Sequence, residues 1–404
     1  MRKILSSNSG KKLIYVSLLS IWIEFICFIS LVIIAKKIPN SVYIPPSKIN
    51  KNLDKNLSDS LGWGSENIQT SSNYELLDNK KCRIHLFGDS YMEANTYQNI
   101  PAGDGTKSTP EDLLSKLSGC AVLNHSVGGY GSDQAYLKFL KKISDSSIRR
   151  NDIVVLSHLT ENILRNANRN RNLLYIRDSS PLLKPKFKVE DEKLKLISIP
   201  KILDSKTLQD LKTKNYPAYL RIGEDRRFIP RASFGSPSLI SFPYSLNLLG
   251  ALTSWHLFPR LINNQRHAPF YSKNSESYKV TIEIIKSFHD KCVEIGCKSL
   301  SIDLPLSVDF GRYFVNGKNL FPLTSDLINS GVDHISIGEL QSKVYPQLLT
   351  DSCFLHEGSS DGGDACNGHY NQKGYSSFFK ELAFVLKKKF LTTGETALQG
   401  IDAN

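Results

Sequence analysis

The sequence predicts an α/β domain built on a mostly parallel sheet with helices over both faces, preceded by one N-terminal apolar helix. Three observations predict it. Short strand-like runs alternate with helical patterns between Cys82 and Phe390, the rhythm of strands joined by crossover helices. One of those runs, Ile153 to Ser157, is apolar almost throughout, as strands buried on both faces of a parallel sheet are. Finally, Leu13 to Ala35 is nearly unbroken apolar sequence, and ~20 residues of helix cross a ~30 Å hydrocarbon core.

The 404 residues allow one large domain with insertions, or two domains. Forty percent apolar and 22% charged residues describe an ordinary globular composition. The net charge of +12, from 51 Lys+Arg and 39 Asp+Glu, favours an anionic surface or substrate such as membrane lipid or an acidic polysaccharide. Zinc-finger spacing, RNP-like aromatics and long basic runs are absent, so nucleic acid is not an expected partner.

Residues 1–12 read as a short tail and residues 13–35 as a membrane anchor flanked by Lys11, Lys12, Lys36 and Lys37. A cleaved signal peptide is the competing reading. Its apolar region would be shorter, and no A-x-A-like site precedes Lys36. Glu24, in mid-span, costs a few kcal/mol unless paired or protonated; it reads either as the mark of a helix partner in the membrane or as a tolerated carboxylate. Flanking charges do not decide orientation. Cys27 lies in the span, and the other six cysteines fall in neighbouring pairs: Cys82 with Cys120, Cys292 with Cys297, Cys353 with Cys366. Disulfides in an oxidising compartment account for this pairing, and buried thiols are the alternative. The globular part is therefore expected in the periplasm or otherwise outside the cytoplasm.

Residues 36–79, with Pro39, Pro45, Pro46 and many Asn and Ser, read as a linker, so the domain is expected over 80–390 and a tail over 391–404. Within it, Cys82–Phe87 reads as a strand. A helix starts at Thr109-Pro110-Glu111-Asp112, which supplies a cap, a proline at the first helical position and acids at the positive helix end, and Gly119 stops it. Ala121–Asn124 is the second strand, followed by a Gly128-Gly129-Tyr130-Gly131 turn and a helix over Asp133–Ile143 with Ser132 as cap. After the Ile153–Ser157 strand, Tyr278, Ile282, Ile285, Phe288 and Ile295 keep helical spacing, Ser299–Leu304 reads as a strand, and Tyr375–Phe390 as the last helix. Residues 165–277 break the rhythm and read as an insertion. In it, Phe187 and Val189 face Leu194 and Leu196 as a hairpin, and Arg165, Arg169, Arg171 and Arg177 make a basic start, either a site for an acidic sugar or a solvated loop.

Ligands of open α/β sheets bind at the carboxyl ends of the strands. Ser90, Gly129 and Asn162 each follow an apolar strand, and His369 precedes the last helix, so all four are expected at one edge. A serine there attacks a carbonyl once a histidine removes its proton. The N–H groups of Ser90 and Gly129 and the amide of Asn162 are the donors expected to hold the resulting oxyanion. This chemistry requires no metal or cofactor. His125, His158 and His356 lack such a context and are expected to be structural.

The blocks Gly88-Asp89-Ser90, Gly129 within Asn124-His125-Ser126-Val127-Gly128-Gly129, Glu161-Asn162, and His369-Tyr370-Asn371 with Gly374 resemble the four signature blocks of the SGNH, or GDSL-type, hydrolases over residues 80–390, the insertion excepted. The resemblance implies a flavodoxin-like three-layer α/β/α sandwich, Ser90 as nucleophile, Gly129 and Asn162 completing the oxyanion hole, and His369 as base. It implies hydrolysis of acyl esters, with acetyl groups on a carbohydrate or lipid as the expected substrate. Two alternatives are an O-acetyltransferase acting on an envelope or exported polysaccharide, fed by a membrane acyl donor, and a non-catalytic carbohydrate-binding domain. The chain departs from the family in three places. Tyr91 replaces a packing leucine, and the third block reads Leu159-Thr160-Glu161-Asn162. Where the family places its triad aspartate, this chain has Cys366 followed by Asn367. The expected triad acid is Asp364, the nearest, with Asp361 the next, brought to His369 by a loop tied through Cys353 and Cys366; a Ser-His pair with backbone or amide support is the alternative.

Overall fold

The computed structural model describes residues 8–37, 61–64, 68–72, 74, 82–94, 100–101, 107–166, 184–198, 243–252, 271–315, 318–349, 351, 353–357 and 369–391. The chain forms two compact units: Met1–Leu57 with Asn168–Lys184 and Ile199–Arg266, and Ser58–Ala167 with Pro185–Ser198 and His267–Asn404.

The second unit holds a six-stranded sheet. Its strands are β1 (Gln69–Thr70), β2 (Arg83–Phe87), β3 (Ala121–Asn124), β4 (Ile153–Leu159), β5 (Lys298–Leu304) and β6 (His334–Ser336), in the spatial order β1-β3-β2-β4-β5-β6. Only β1 runs antiparallel, Gln69 opposite Asn124; every other pairing is parallel. The fold class is thus mixed α/β with a mostly parallel sheet. In chain order the helices are α1 (Asn8–Lys37), α2 (Ser90–Glu93), α3 (Pro110–Ser118), α4 (Ser132–Ser144), α5 (Asn162–Asn166), α6 (Tyr244–Leu252), α7 (Glu276–Ile295), α8 (Pro322–Asn329), α9 (Ile337–Val344) and α10 (Gln372–Leu386). Helices α4 and α7 pack on each other, α4 on β2 and β4, α7 on β5; α3, α9 and α10 form a second set, with α3 on β3 and α9 on β5.

Local chemistry explains the boundaries. Every residue of β2, β3 and β4 is buried, as in a sheet covered on both faces, and the polar residues of β2 are paired inside the fold: Arg83 and His85 both bond the Asp152 carboxylate. Thr109 accepts a hydrogen bond from the Asp112 N–H at 3.1 Å, and Gly119 closes α3 in the left-handed region at φ 76°. Ser275 caps α7 in the same way, accepting from the Tyr278 N–H at 3.1 Å. At α4 the cap position belongs to Gly131, and Ser132 is the first helical residue; the Ser132 hydroxyl is 2.8 Å from His158 Nδ1 instead.

The insertion contains the expected hairpin, with Phe187 opposite Leu196 and Val189 opposite Leu194. Its two-residue turn is made by Asp191 and Glu192 at φ 49° and 59°, the pair of positive angles that matches strand twist in a tight hairpin. Phe187 is buried, with its ring 5.9 Å from that of Tyr136 on α4. Arg169, Arg171 and Arg177 lie outside the described residues.

One sequence expectation is corrected and another is extended. The compact unit that holds the sheet takes in residues ahead of Lys80, from Ser58 onward. The stretch read as linker supplies β1 and two buried apolar side chains, Leu61 and Trp63, and its polarity hid them. The last helix runs from Gln372 to Leu386, because Asn371 caps it by accepting from the Gly374 N–H at 2.9 Å.

Cys82 is bonded to Cys120, and Cys292 to Cys297. Cys353 is also in a disulfide, while Cys366 lies outside the described residues. In the first unit, α1 contains the window Ile14–Val32 with a mean hydropathy of 2.1, long and apolar enough to cross a membrane.

Candidate active site

Ser90 opens α2 directly after β2, and the turn that presents it depends on Gly88 and Asp89. A Cβ at Gly88 would collide with Ser157 Oγ and stand 2.8 Å from Met92 Cβ. Only glycine lets the end of β2 pass that close to β4. Asp89 caps α2, its carboxylate accepting from the Tyr91 N–H at 3.0 Å. From the next strand, Asn124 donates to the Met92 carbonyl at 2.9 Å and to Glu111 at 2.7 Å, which fixes the far end of this short helix.

His369 arrives from the other end of the chain. Residues 354–357 pair with 369–371: the Glu357 N–H donates to the His369 carbonyl at 2.9 Å, the Asn371 N–H to the Leu355 carbonyl at 2.9 Å, and the Asn371 amide to the Phe354 carbonyl at 3.1 Å. So held, His369 Nε2 lies 2.8 Å from Ser90 Oγ, within the reach of direct proton transfer. The Tyr91 ring packs against the imidazole with centroids 4.9 Å apart, so the residue that follows Ser90 buttresses His369. Burial pushes the His369 imidazole below its ordinary pKa. Asp89 pulls it upward, Arg165 lowers it again, and Glu357 and Glu161 raise it, leaving it lowered on balance.

The expected oxyanion donors lie at the neighbouring strand ends. Val127 to Tyr130 form a turn closed by the Tyr130 N–H on the Val127 carbonyl at 3.1 Å, with Gly129 third at φ 81°, a position that strains any residue with a Cβ. The turn borders the serine, since a Cβ at Gly128 would stand 3.8 Å from Ser90 Cβ. Asn162 opens α5 after β4 and is 1% exposed, and among the described residues neither its Nδ2 nor its Oδ1 has a hydrogen-bond partner. A buried amide left unsatisfied costs about 1–3 kcal/mol, and such groups belong where a ligand completes them.

The residue that sequence reasoning misplaced is Arg165. It is 5% exposed and does not belong to a solvated basic loop. Its Nη1 donates to Asp89 Oδ2 at 2.9 Å and to the Tyr130 carbonyl at 2.8 Å, and its Nη2 is 3.4 Å from Glu161 Oε1. One guanidinium therefore grips the residues adjacent to Ser90, Gly129 and Asn162, tying three strand ends into one geometry. Burial pushes the Asp89 carboxyl up, while Arg165 and the Tyr91 N–H oppose that rise. Contacts across 76 positions leave no local signal in a sequence.

Asp364 and Asp361, expected as triad acids, lie outside the described residues. His125, His158 and His356 are buried, in keeping with the structural role expected of them. His125 pairs with His85 at 3.0 Å, His158 Nε2 is 2.9 Å from the Tyr271 hydroxyl, and burial pushes His356 down to about 4. A Ser-His-Asp set lies elsewhere in the sheet, with His334 2.8 Å from Ser301 and 3.2 Å from Asp303. It lies within β5 and β6 with all three residues buried, so it is a structural network closed to substrate. Neither a protein-family model nor any curated protein matches this sequence.

Proposed function

We propose that this chain is a membrane-anchored serine esterase of the SGNH type, removing acyl groups, acetyl in the first place, from a carbohydrate or lipid on the extracytoplasmic side. The observation that carries the reading is the 2.8 Å hydrogen bond between Ser90 Oγ and His369 Nε2. The two residues are 279 positions apart and converge at the carboxyl ends of the strands.

Ser90 Oγ attacks the ester carbonyl while His369 Nε2 takes its proton. The tetrahedral oxyanion is held by the N–H groups of Ser90 and Gly129 and by Asn162 Nδ2, whose unsatisfied amide supports this role. Collapse breaks the C–O bond, and His369 returns the proton to the departing alcohol. Water, deprotonated by the same imidazole, then releases the acid and restores Ser90.

The sheet supports the finer fold assignment. With β1 set aside, the order β3-β2-β4-β5-β6 is the 2-1-3-4-5 order of flavodoxin-like folds, whose ligand crevice opens where strand order reverses. In this chain that point lies between β2 and β4, which carry Ser90 and Asn162. Disulfides Cys82–Cys120 and Cys292–Cys297 support an oxidising compartment, and α1 supports the anchor.

The test uses the full chain in detergent. A fluorophosphonate should label Ser90, the label should vanish in Ser90→Ala, and acetate release from acetylated saccharides should vanish with it. Intact hydrolysis by Ser90→Ala would sink the assignment. With an oligosaccharide acceptor present, acyl transfer exceeding hydrolysis would convert the esterase into a transferase at the same serine.

A further inference from the structure

In α1 the less exposed positions of the second half are Glu24, Cys27, Phe28, Ser30, Leu31 and Val32; four of them, Glu24, Cys27, Phe28 and Leu31, recur at the three- and four-residue spacing of one helical face. The first half differs. From Tyr15 to Ile23 the described side chains are exposed on every face. What meets the covered face is identifiable at Glu24. Its carboxylate accepts from the backbone N–H of Tyr244 at 2.5 Å, from the N–H of Ser245 at 3.1 Å, and from the Ser245 hydroxyl. One turn further along α1, the Phe28 ring stands 5.1 Å from that of Tyr244.

These contacts place the N-terminus of α6 at a defined depth. Glu24 lies ten residues from Ile14 and eight from Val32, the ends of the apolar window. At 1.5 Å per residue that is about 15 Å and 12 Å, the middle of a ~30 Å core. Helix α6 has 9 residues, Tyr-Ser-Leu-Asn-Leu-Leu-Gly-Ala-Leu, so it is about 13 Å long, half the core. It carries no charged residue, and Leu246 and Leu249, three apart, are 63% and 57% exposed.

We propose that α6 is a half-membrane helix. It inserts beside α1 in the half of the bilayer next to Lys36, starts at the midplane on Glu24, and presents Leu246 and Leu249 to lipid acyl chains. This rests on the membrane anchoring of α1 proposed above.

The physical case is one of mutual satisfaction. A helix beginning inside hydrocarbon leaves orphan N–H groups, each costly there, and a carboxylate in mid-span is costly on its own. Each is the other's partner. The two N–H groups and one hydroxyl bonded to Glu24 sit at the positive end of the helix, where a negative charge is favoured. In water the same arrangement would leave a nine-residue apolar helix with no reason to hold two leucines in solvent.

Spin labels test this in the full chain reconstituted into phosphatidylcholine vesicles, with Cys27→Ser removing the native free thiol. Labels at Leu246→Cys and Leu249→Cys should be accessible to oxygen and shielded from a water-soluble nickel chelate. The label at 246 should lie about 4–5 Å deeper than that at 249. Access by the nickel chelate at both positions would overturn the proposal, and shielding from both reagents would too, since protein would then cover the face. Ile21→Cys in α1 separates the causes. If that label meets the nickel chelate, the anchor reading fails; if it is shielded while 246 and 249 are not, only the half-helix fails. Glu24→Leu should raise nickel access at 249, and unchanged access would refute the capping role.

Discussion

Replacing Arg165 by methionine isolates the charge that holds the strand ends together. The pair is buried, with the Arg165 and Asp89 side chains 6% and 0% exposed and 2.9 Å apart. Removing one partner of such a pair costs ~3–5 kcal/mol, because the other charge stays buried and uncompensated. At ~2–4 °C per kcal/mol, the expected fall in Tm is roughly 10 °C. The loss has a pH signature. Burial raises the Asp89 carboxyl and Arg165 opposes it, so without the guanidinium the folded carboxyl takes up its proton at higher pH than its unfolded counterpart. A group raised in the folded state destabilises at pH above its folded value and recovers on acidification. Scanning fluorimetry of the full chain in detergent should thus show a larger deficit at about pH 8 than at about pH 5. Asp89→Asn combined with Arg165→Met should restore most of the stability and little of the activity, because the Tyr130 carbonyl and Glu161 still lose their anchor. A Tm within about 2 °C of the unmodified protein at pH 8, or a deficit that grows on acidification, would refute the clamp.

Other outcomes follow from the same geometry. Asn162→Ala should lower kcat/KM about 10²–10³-fold with Tm unchanged or raised, since the amide it removes is buried and unpartnered; a fall in Tm of several degrees would identify a structural amide instead. Because burial lowers His369, the acidic limb of kcat/KM for ester hydrolysis should lie below the ordinary histidine value of ~6.5. Glu357 pulls the imidazole upward, so Glu357→Gln should move that limb to still lower pH, and movement to higher pH would contradict the assigned electrostatics.

The sequence made β3 and β4 legible because their apolar runs, residues 121–123 and 153–156, are unbroken, and it made α3 legible because Thr109, Pro110 and Gly119 are local punctuation. It concealed β6, where His334 and Ser336 are buried polar residues whose partners, Ser301 and Asp303, belong to another strand. Strand β1 and Trp63 were hidden for a similar reason, since a two-residue edge strand and one indole make no periodicity. Ser90 and His369 could be found because their chemistry demands their residue types. Arg165 could not, since an arginine beside other arginines looks like solvated charge until the buried carboxylate opposite it is seen.

The grip on Trp63 has a mechanical consequence. Its indole N–H donates to the Gly128 carbonyl at 3.1 Å, and its own carbonyl accepts from the Tyr130 hydroxyl at 2.5 Å, so this segment clasps the two residues that flank Gly129. A pull on the chain ahead of Trp63 would reach that clasp before it reached β1. The shape of the turn that carries Gly129 is thereby coupled to chain that precedes the first strand, and cutting at residue 80 would release one side of the turn while leaving Ser90, Gly129, Asn162 and His369 in place.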